Sequence, residues 1–283
     1  ESTEIIQDLN KVFETEDLRL YPGISYRHCL VLKNARDGAV CTPPHDILEQ
    51  GVRGHLPHGQ NGDRLLEMMK KSRELLKDHP VNLRRIEKGL RPVSSLWFWG
   101  EGRKPNLASF TEKYGKKGAV VSAVDLIKGI GICAGLESIE VEGATGNIDT
   151  NFDGKAQAAI RTLLDEGNDF VYVHLEAPDE CGHRHETENK VRAIELIDEK
   201  IIAPIRKAME DAGEEYCMMV LPDHPTPLKL RTHTSDPVPF ALYRSNTERC
   251  SGVDRYTEAT AESTGVYVEE GFRLMDWLIR GDD

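Results

Sequence analysis

The stretch VYVHLEAPDECGH, residues 171–183, joins an apolar run of strand type to a polar segment that begins directly after it. The same combination returns in YCMMVLPDH, residues 216–224, where an Asp-His pair follows the apolar run. Polar residues that directly follow strands lie at the carboxyl edge of an open α/β sheet, where such folds place their ligands. These two stretches predict an α/β fold with a functional site at one edge of the sheet.

Three segments carry side chains that ligate metals: the two above, and RTHTSDPVPF at residues 231–240. The candidate ligands are Asp179, His183, Asp223, His224 and His233. A single DxxxH or DH pattern is weak, because most Asp and His residues are surface groups or loop caps. Carboxylates and imidazoles without thiolates suit zinc or manganese, and two such ions can clamp both oxygens of a phosphoryl transfer. The order of the three segments therefore favours a site for two divalent metals.

Strand-like and helix-like stretches alternate from residue 116 onward, as in βαβ folds. The strands are expected at 118–124, 171–177 and 217–222, and the helices at 125–135, 154–167, 189–213 and 265–280. Pro204 is expected to bend or break the long helix, and Phe272 is expected on the core face of the last one. Pro178 and Gly182 predict a loop around Asp179 in place of a regular helix.

Residues 1–115 differ in pattern and predict a smaller α+β domain. Strand-like sequence at 19–33 is followed by a long Pro- and Gly-rich loop and a charged helix at 63–79. In SSLWFWG, residues 94–100, Trp97 and Trp99 alternate as in a strand and are interpreted as packing residues. The expected domains are 1–115 and 116–283, with a hinge near residue 115.

Charge and composition exclude several classes of function. The net charge of -12 argues against nucleic acid, whose phosphates select for clustered Lys and Arg. Residues 1–115 carry 18 basic and 16 acidic side chains, and residues 116–283 carry 18 and 32. This division suits metals beside an anionic substrate, although ordinary surface charge also produces it. Without a membrane span, a signal sequence or a disulfide-type cysteine pattern, we expect a cytoplasmic protein.

Several long phrases resemble the cofactor-independent phosphoglycerate mutases of the archaeal type, within the alkaline phosphatase superfamily. They include YPGISYRH at 21–28, WFWGEG at 97–102, GATGNIDTNFDGKA at 143–156 and VYVHLEAPDECGH at 171–183. The resemblance implies an α/β, alkaline-phosphatase-like layered sheet core with a smaller α+β cap, which is the 1–115 domain. It also implies two divalent metal ions, manganese or zinc, and no requirement for 2,3-bisphosphoglycerate.

The resemblance assigns roles to particular residues. Asp179, His183 and His233 would hold one metal, and Asp223 with His224 the other. Cys181 falls where relatives carry a small residue and is interpreted as structural. Lys128, from its own position in the small-residue turn DLIKGIG of the core, is our candidate for the cationic contact to the transferring phosphoryl group. The candidate contacts to a small phosphorylated carboxylate substrate are Arg27, His28, His45 and Asp46. Each of these, taken alone, is more typical of an ordinary surface or strand-edge residue.

The function implied is interconversion of 3-phosphoglycerate and 2-phosphoglycerate through a phosphoserine intermediate. In the family the nucleophilic serine and one metal-binding aspartate precede the point where this sequence begins. We therefore expect a C-terminal portion with an incomplete core, inactive on its own. Two alternatives stay open: another phosphotransferase or phosphatase of the superfamily, such as a homoserine kinase, and a catalytically silent metal-binding fragment. The sequence indicates no membrane or nucleic-acid partner and leaves the oligomeric state open.

Overall fold

A computed structural model describes residues 1–23, 26–47 and 50–281, apart from the side chains of residues 45 and 46. The chain divides into two compact units, Glu1–Pro105 and Asn106–Asp283. The structural boundary therefore precedes the short helix Phe110–Tyr114, whereas the boundary expected from sequence follows it. Within the described residues, none of the helices has both the length and the apolar character required to cross a bilayer.

The first unit is a small α+β domain. Its helices are α1 (Ser2–Phe13), α2 (Gly62–Leu76) and α3 (Pro80–Glu87), and its strands are β1 (Leu18–Tyr21), β2 (Cys29–Leu32), β3 (Ala39–Val40) and β4 (His58–Gly59). The strands pair as two antiparallel hairpin-like sheets, β1 with β2 and β3 with β4. Ile5, Ile6 and Leu9 form the buried face of α1 at helical spacing and pack with Leu18 and Leu20 of β1.

Two details of this unit differ from the sequence prediction. The charged helix expected at 63–79 is present as α2 but ends earlier, at Leu76; His79 then caps α3, since its Nδ1 accepts the backbone N–H of Val81 and Pro80 stands in the first turn of α3. The strand expected at 94–100 is wrong, since the described residues 90–109 form neither helix nor strand. The alternation still directs Leu96 and Phe98 toward the core, but no neighbouring strand pairs with them.

The second unit is built on a parallel sheet. Its strands are β5 (Gly118–Val121), β6 (Glu137–Ile139), β7 (Phe170–Val173), β8 (Cys217–Val220) and β9 (Ala241–Arg244); its helices are α4 (Phe110–Tyr114), α5 (Asp125–Cys133), α6 (Phe152–Leu164), α7 (Ala177–Arg184), α8 (Thr187–Ile197), α9 (Ala203–Ala212), α10 (Glu258–Ser263) and α11 (Leu274–Arg280). The parallel strands lie in the order β6-β5-β7, and β8 pairs with β9 in an antiparallel ribbon. Every residue of the central strand β5 is buried, as expected for a parallel strand covered on both faces. The α/β class predicted from the sequence is confirmed.

Residues 177–184 are helical, so the loop expected around Asp179 is wrong. Pro178 stands in the first turn of α7, where a backbone N–H has no acceptor within the helix and the proline ring is tolerated. Gly182 is buried against the loop that follows β8: a Cβ at this position would lie 2.6 Å from the carbonyl oxygen of Thr226. Here glycine permits close packing and does not end the helix.

The long helical pattern at 189–213 is present with one irregularity. Helix α8 runs into a π-helical turn, Asp198–Ile202, which leads directly into α9 with Pro204 in its first turn. The missing N–H of proline removes one helical hydrogen bond, and the wider turn absorbs the interruption. The final helix is shorter than expected, and Phe272 is 71% exposed in the short 3₁₀ turn before α11, so its assignment to the core was wrong.

Candidate metal centre

Helix α7 presents two of the predicted ligands on one face. Asp179 lies in its first turn and His183 in its last, four residues apart, which places both side chains on the same side of the helix. Nε2 of His183 lies 3.3 Å from Oδ2 of Asp179. Both side chains are partly exposed, so an ion from solvent can reach them.

The segment that follows β8 brings two further imidazoles to the same place. Ligand atoms of Asp179, His224 and His233 all lie within 4.8 Å of one another. Nε2 of His233 lies 3.2 Å from Oδ1 of Asp179 and 3.0 Å from Nε2 of His183. Four of the five predicted ligands therefore converge, although the two on α7 precede the other two by 41 to 54 positions in the sequence.

The segment 226–231 is tied to α7 by contacts between protein groups. The hydroxyl of Thr226 hydrogen-bonds to Oδ1 of Asp179. Nδ1 of His185, the C-cap of α7, lies 2.6 Å from the carbonyl oxygen of Leu228. These bonds fix the position of the loop along the helix axis. They therefore set the distance between the two halves of the ligand set, which are Asp179 and His183 on α7 and His224 and His233 in the segment after β8.

The tautomer of His183 supports metal binding. Its Nδ1 lies 3.0 Å from the carbonyl oxygen of Arg231, which can only accept, so Nδ1 carries the proton. In the neutral ring Nε2 then has a free lone pair, and this is the atom that faces Asp179 and His233. A carbonyl that orients a ligating histidine in this way is a common feature of metal sites. The convergent carboxylate and imidazole donors therefore fit a divalent ion.

Asp223, the fifth candidate, adjoins this group through His224, whose Nε2 lies 3.5 Å from Oδ2 of Asp223. Its carboxylate is 61% exposed, and Oδ1 accepts the backbone N–H of His224 at 3.1 Å. Burial raises the pKa of Tyr172 on β7, and the nearby charge of Asp223 adds to the effect. Asp223 thus lies near the end of β7. The division of the five side chains between two ions stays a prediction.

The candidate phosphoryl contact Lys128 lies in α5 and is largely covered. Its Nζ is 2.7 Å from both carboxylate oxygens of Glu140, which restrains the ammonium group close to that side chain. Cys181 is fully buried in α7 between the two ligands, and its burial agrees with a structural role.

The candidate substrate contacts belong to the first unit. Arg27 is exposed, and its guanidinium lies 5.3 Å from the ring centroid of Tyr26. Nδ1 of His28 accepts the backbone N–H of Gly23 at 3.1 Å, and burial lowers the pKa of His28. His28 therefore offers an uncharged Nε2–H donor. The side chains of His45 and Asp46 lie outside the described residues; their backbone forms the 3₁₀ turn Pro44–Ile47.

Sequence reasoning missed a buried polar group behind the ligand segments. Lys155 of α6 is 1% exposed, and its Nζ donates to the carbonyl oxygen of His174 at 3.2 Å. Burial lowers the pKa of Lys155 to about 8. Nδ1 of His174 in turn lies 3.2 Å from the hydroxyl of Ser122. The signal for Lys155 was its position among Phe152, Ala156 and Ala159 on the apolar face of α6.

Known proteins are similar to this chain over nearly its whole length. Residues 29–268 match the family described as the Metalloenzyme superfamily. A Geobacter sulfurreducens protein named a probable 2,3-bisphosphoglycerate-independent phosphoglycerate mutase is 48% identical over 279 residues, which cover 99% of this chain and 69% of that protein. The 2,3-bisphosphoglycerate-independent phosphoglycerate mutase of Methanothrix thermoacetophila is 48% identical over 282 residues, covering 99% of this chain and 70% of the relative.

Two solved structures are similar in fold. A Pyrococcus horikoshii protein superimposes with a TM-score of 0.71 and 28% identity, over 93% of this chain and 64% of its own. The cofactor-independent phosphoglycerate mutase from Thermoplasma acidophilum gives a TM-score of 0.61 at 22% identity, over 99% of this chain and 69% of its own, a likeness of fold alone. Because nearly half of its residues are identical to those of the two mutases across almost its entire length, the chain belongs to the 2,3-bisphosphoglycerate-independent phosphoglycerate mutase family, within the Metalloenzyme superfamily.

Proposed function

We propose that the protein carrying this chain interconverts 3-phosphoglycerate and 2-phosphoglycerate through a phosphoserine intermediate. The observation that supports this most is the convergence of Asp179, His183, His224 and His233 in a member of the mutase family. The substrate is a small phosphorylated carboxylate, and 2,3-bisphosphoglycerate is not required. We propose that the reaction takes place in the cytoplasm.

The proposed cofactors are two divalent ions, manganese or zinc. Asp179, His183 and His233 would hold one, and Asp223 and His224 the other. When bound, such ions supply Lewis-acid chemistry: they lower the pKa of a serine hydroxyl and offset negative charge on phosphoryl oxygens. The side chains contribute by keeping lone pairs aimed at one point, as the hydrogen bond from His183 to the carbonyl of Arg231 does.

The polar groups outside the metal ligands are proposed to grip the substrate. The uncharged Nε2–H of His28 can donate to a carboxylate or phosphate oxygen, and the exposed Arg27 offers a planar fork for the same groups. Lys128 would leave Glu140 to meet the phosphoryl group. Retention of glycerate during transfer distinguishes a mutase from a phosphatase, because escape of glycerate and entry of water lead to hydrolysis.

The test is an assay of the complete protein with 3-phosphoglycerate in the presence of Mn²⁺ or Zn²⁺. His183→Ala and Asp223→Ala are expected to abolish formation of 2-phosphoglycerate while the circular dichroism spectrum stays unchanged. His58→Ala, a matched change at an exposed histidine of the first unit, is expected to keep full activity.

Other outcomes identify other functions. Phosphate release without isomerisation indicates a phosphatase, and turnover of homoserine with ATP indicates a kinase of the same superfamily. Normal turnover by either ligand variant contradicts the assignment of the metal centre. A complete protein that binds neither ion and converts no substrate contradicts the proposed function altogether.

A further inference from the structure

The hydroxyl of Thr226 lies between two of the proposed metal ligands. Thr226 is 5% exposed, its Oγ1 hydrogen-bonds to Oδ1 of Asp179, and the same oxygen lies 3.4 Å from Nδ1 of His224. The carboxylate belongs to α7 and the imidazole to the segment after β8, so one buried hydroxyl connects the two halves of the site.

The single proton of this hydroxyl determines which ring nitrogen of His224 is protonated. A hydroxyl has one proton to donate, and the ionised carboxylate of Asp179 can only accept, so the proton goes to Asp179. Toward His224 the oxygen then presents only lone pairs. An unprotonated Nδ1 would direct its own lone pair at those of the hydroxyl oxygen, and the two would repel each other. Nδ1 therefore carries the proton of the neutral ring. Nε2 is left as the ligating atom.

A competing acceptor is present but weaker. Oδ2 of Asp223 lies 3.5 Å from Nε2 of His224 and would favour a proton on that nitrogen. The Asp223 carboxylate is 61% exposed, so water screens it, whereas the Thr226 hydroxyl is buried and its interactions are less screened. The buried contact therefore decides the tautomer. A bare Nε2 beside a carboxylate is in turn an arrangement that a cation stabilises.

Contacts from α7 and α8 fix the position of Thr226. Nζ of Lys190 on α8 donates to the carbonyl oxygen of Thr226 at 2.9 Å. On the α7 side Gly182 leaves room for this carbonyl, since a Cβ there would come within 2.6 Å of it. The hydroxyl is consequently held between Asp179 and His224, because groups of two helices, Lys190 of α8 and Gly182 of α7, lie against the carbonyl of the same residue.

We propose that Thr226 is a positioning residue of the metal centre. Its hydroxyl orients the carboxylate of Asp179 in one proposed ion site and sets the Nδ1–H tautomer of His224 in the other, so that each side chain presents a lone pair to a divalent cation. This rests on the proposed metal site. The contacts of the Thr226 hydroxyl join protein groups to one another, so they are present in the metal-free chain.

The first measurement is calorimetric titration of the chain with Mn²⁺ alone. Thr226→Val keeps the shape of the side chain and removes the hydroxyl, and Mn²⁺ affinity is expected to fall about 10- to 100-fold, as for other residues that orient ligands. Thr226→Ser restores the hydroxyl and is expected to restore affinity. Thr162→Val is the matched control. Thr162 is fully buried, and its hydroxyl donates to the carboxylate of Glu166, which is not a metal ligand. The Mn²⁺ affinity of this variant should therefore equal that of the wild type.

The second measurement is the tautomer of His224 in the metal-free chain, read from ¹⁵N shifts of labelled histidine at a pH where the imidazoles are neutral. The expected result is Nδ1–H in the wild type and in Thr226→Ser, and a shift toward Nε2–H in Thr226→Val. Equal Mn²⁺ affinity of the Val variant and the wild type overturns the proposal. If Thr226→Val does not fold, an Nε2–H tautomer in the wild type still overturns it. A wild-type chain with Nδ1–H that binds no Mn²⁺ overturns the role of Thr226 in metal binding but leaves the tautomer assignment intact, and the proposed function is tested separately by the assay of the complete protein.

Discussion

The substitution Gly182→Ala tests the packing between α7 and the loop that carries the histidine ligands. The added Cβ would lie 2.6 Å from the carbonyl oxygen of Thr226, and 2.9 Å from both its Cγ2 and Nζ of Lys190. The lysine amine is flexible and can move, but the carbonyl belongs to the backbone. Separation to ordinary contact therefore requires the loop to shift by several tenths of an ångström, and the hydroxyl of Thr226 shifts with it.

Two effects of opposite sign decide the magnitude. Replacing glycine by alanine inside a helix stabilises it by about 1 kcal/mol. Overpacking of a tight contact destabilises by about 1–3 kcal/mol. The net loss in the free energy of unfolding is expected to be about 0–2 kcal/mol, so the variant still folds. Because Asp179 and His224 both depend on the displaced hydroxyl, Mn²⁺ affinity should fall by about tenfold or more.

The assay combines urea unfolding in chelator with Mn²⁺ titration of the folded chain, and two glycines of α5 supply controls. At Gly129 a Cβ would meet nothing within 4 Å, so Gly129→Ala should raise stability and leave Mn²⁺ affinity unchanged. At Gly131 a Cβ would lie 2.6 Å from Cγ1 of Val120, so Gly131→Ala should lower stability without changing Mn²⁺ affinity. If Gly182→Ala behaves like Gly129→Ala in both measurements, the close approach of α7 and the loop does not control the site, and the reasoning is refuted.

Three further predictions concern pH, metal removal and one ligand. Burial lowers the pKa of Lys155 to about 8 from the usual 10.5, so between these pH values the unfolded chain binds the proton and the folded chain does not. The free energy of unfolding of the wild type, relative to that of Lys155→Met, should therefore rise by about 3 kcal/mol as pH increases through this window. A difference between the two proteins that does not change with pH would contradict the lowered pKa of Lys155. Removing Mn²⁺ from a chain loaded at about 100 times its dissociation constant should lower the free energy of unfolding by about 2.7 kcal/mol, seen as a lower urea midpoint in chelator. Asp179→Asn should lose this metal-dependent stabilisation, and retention of the full difference would exclude Asp179 as a ligand.

The sequence predicted the elements next to the site better than their pairing. Strands β5, β7 and β8 follow from short apolar runs bounded by polar segments. The convergence of Asp179, His183 and His224 follows from their position after two of those runs, whereas His233 belongs to a separate third segment. The pairing of β8 with β9 and not with the parallel sheet depends on partners distant in sequence, which local patterns do not contain.

Residues whose function depends on distant contacts were not predictable. Thr226 in DHPTP has the composition of a turn, and its significance comes from Asp179, which is 47 positions away in the sequence. Pro178 and Gly182 led to a wrong prediction of a loop, because both residue types are typical of loops. In the structure Pro178 stands in the first turn of a helix, and Gly182 makes space for a neighbouring backbone. In each case tertiary packing overrides a correct local preference.

The bonds between α7 and the segment 226–231 also affect how fast an ion enters the site. They join protein groups to one another, so the two halves of the ligand set are already in place before any cation arrives. An incoming ion then loses part of its own hydration shell without waiting for a disordered segment to fold. We expect stopped-flow mixing with Mn²⁺ to give a single rapid phase whose rate rises linearly with ion concentration and does not level off.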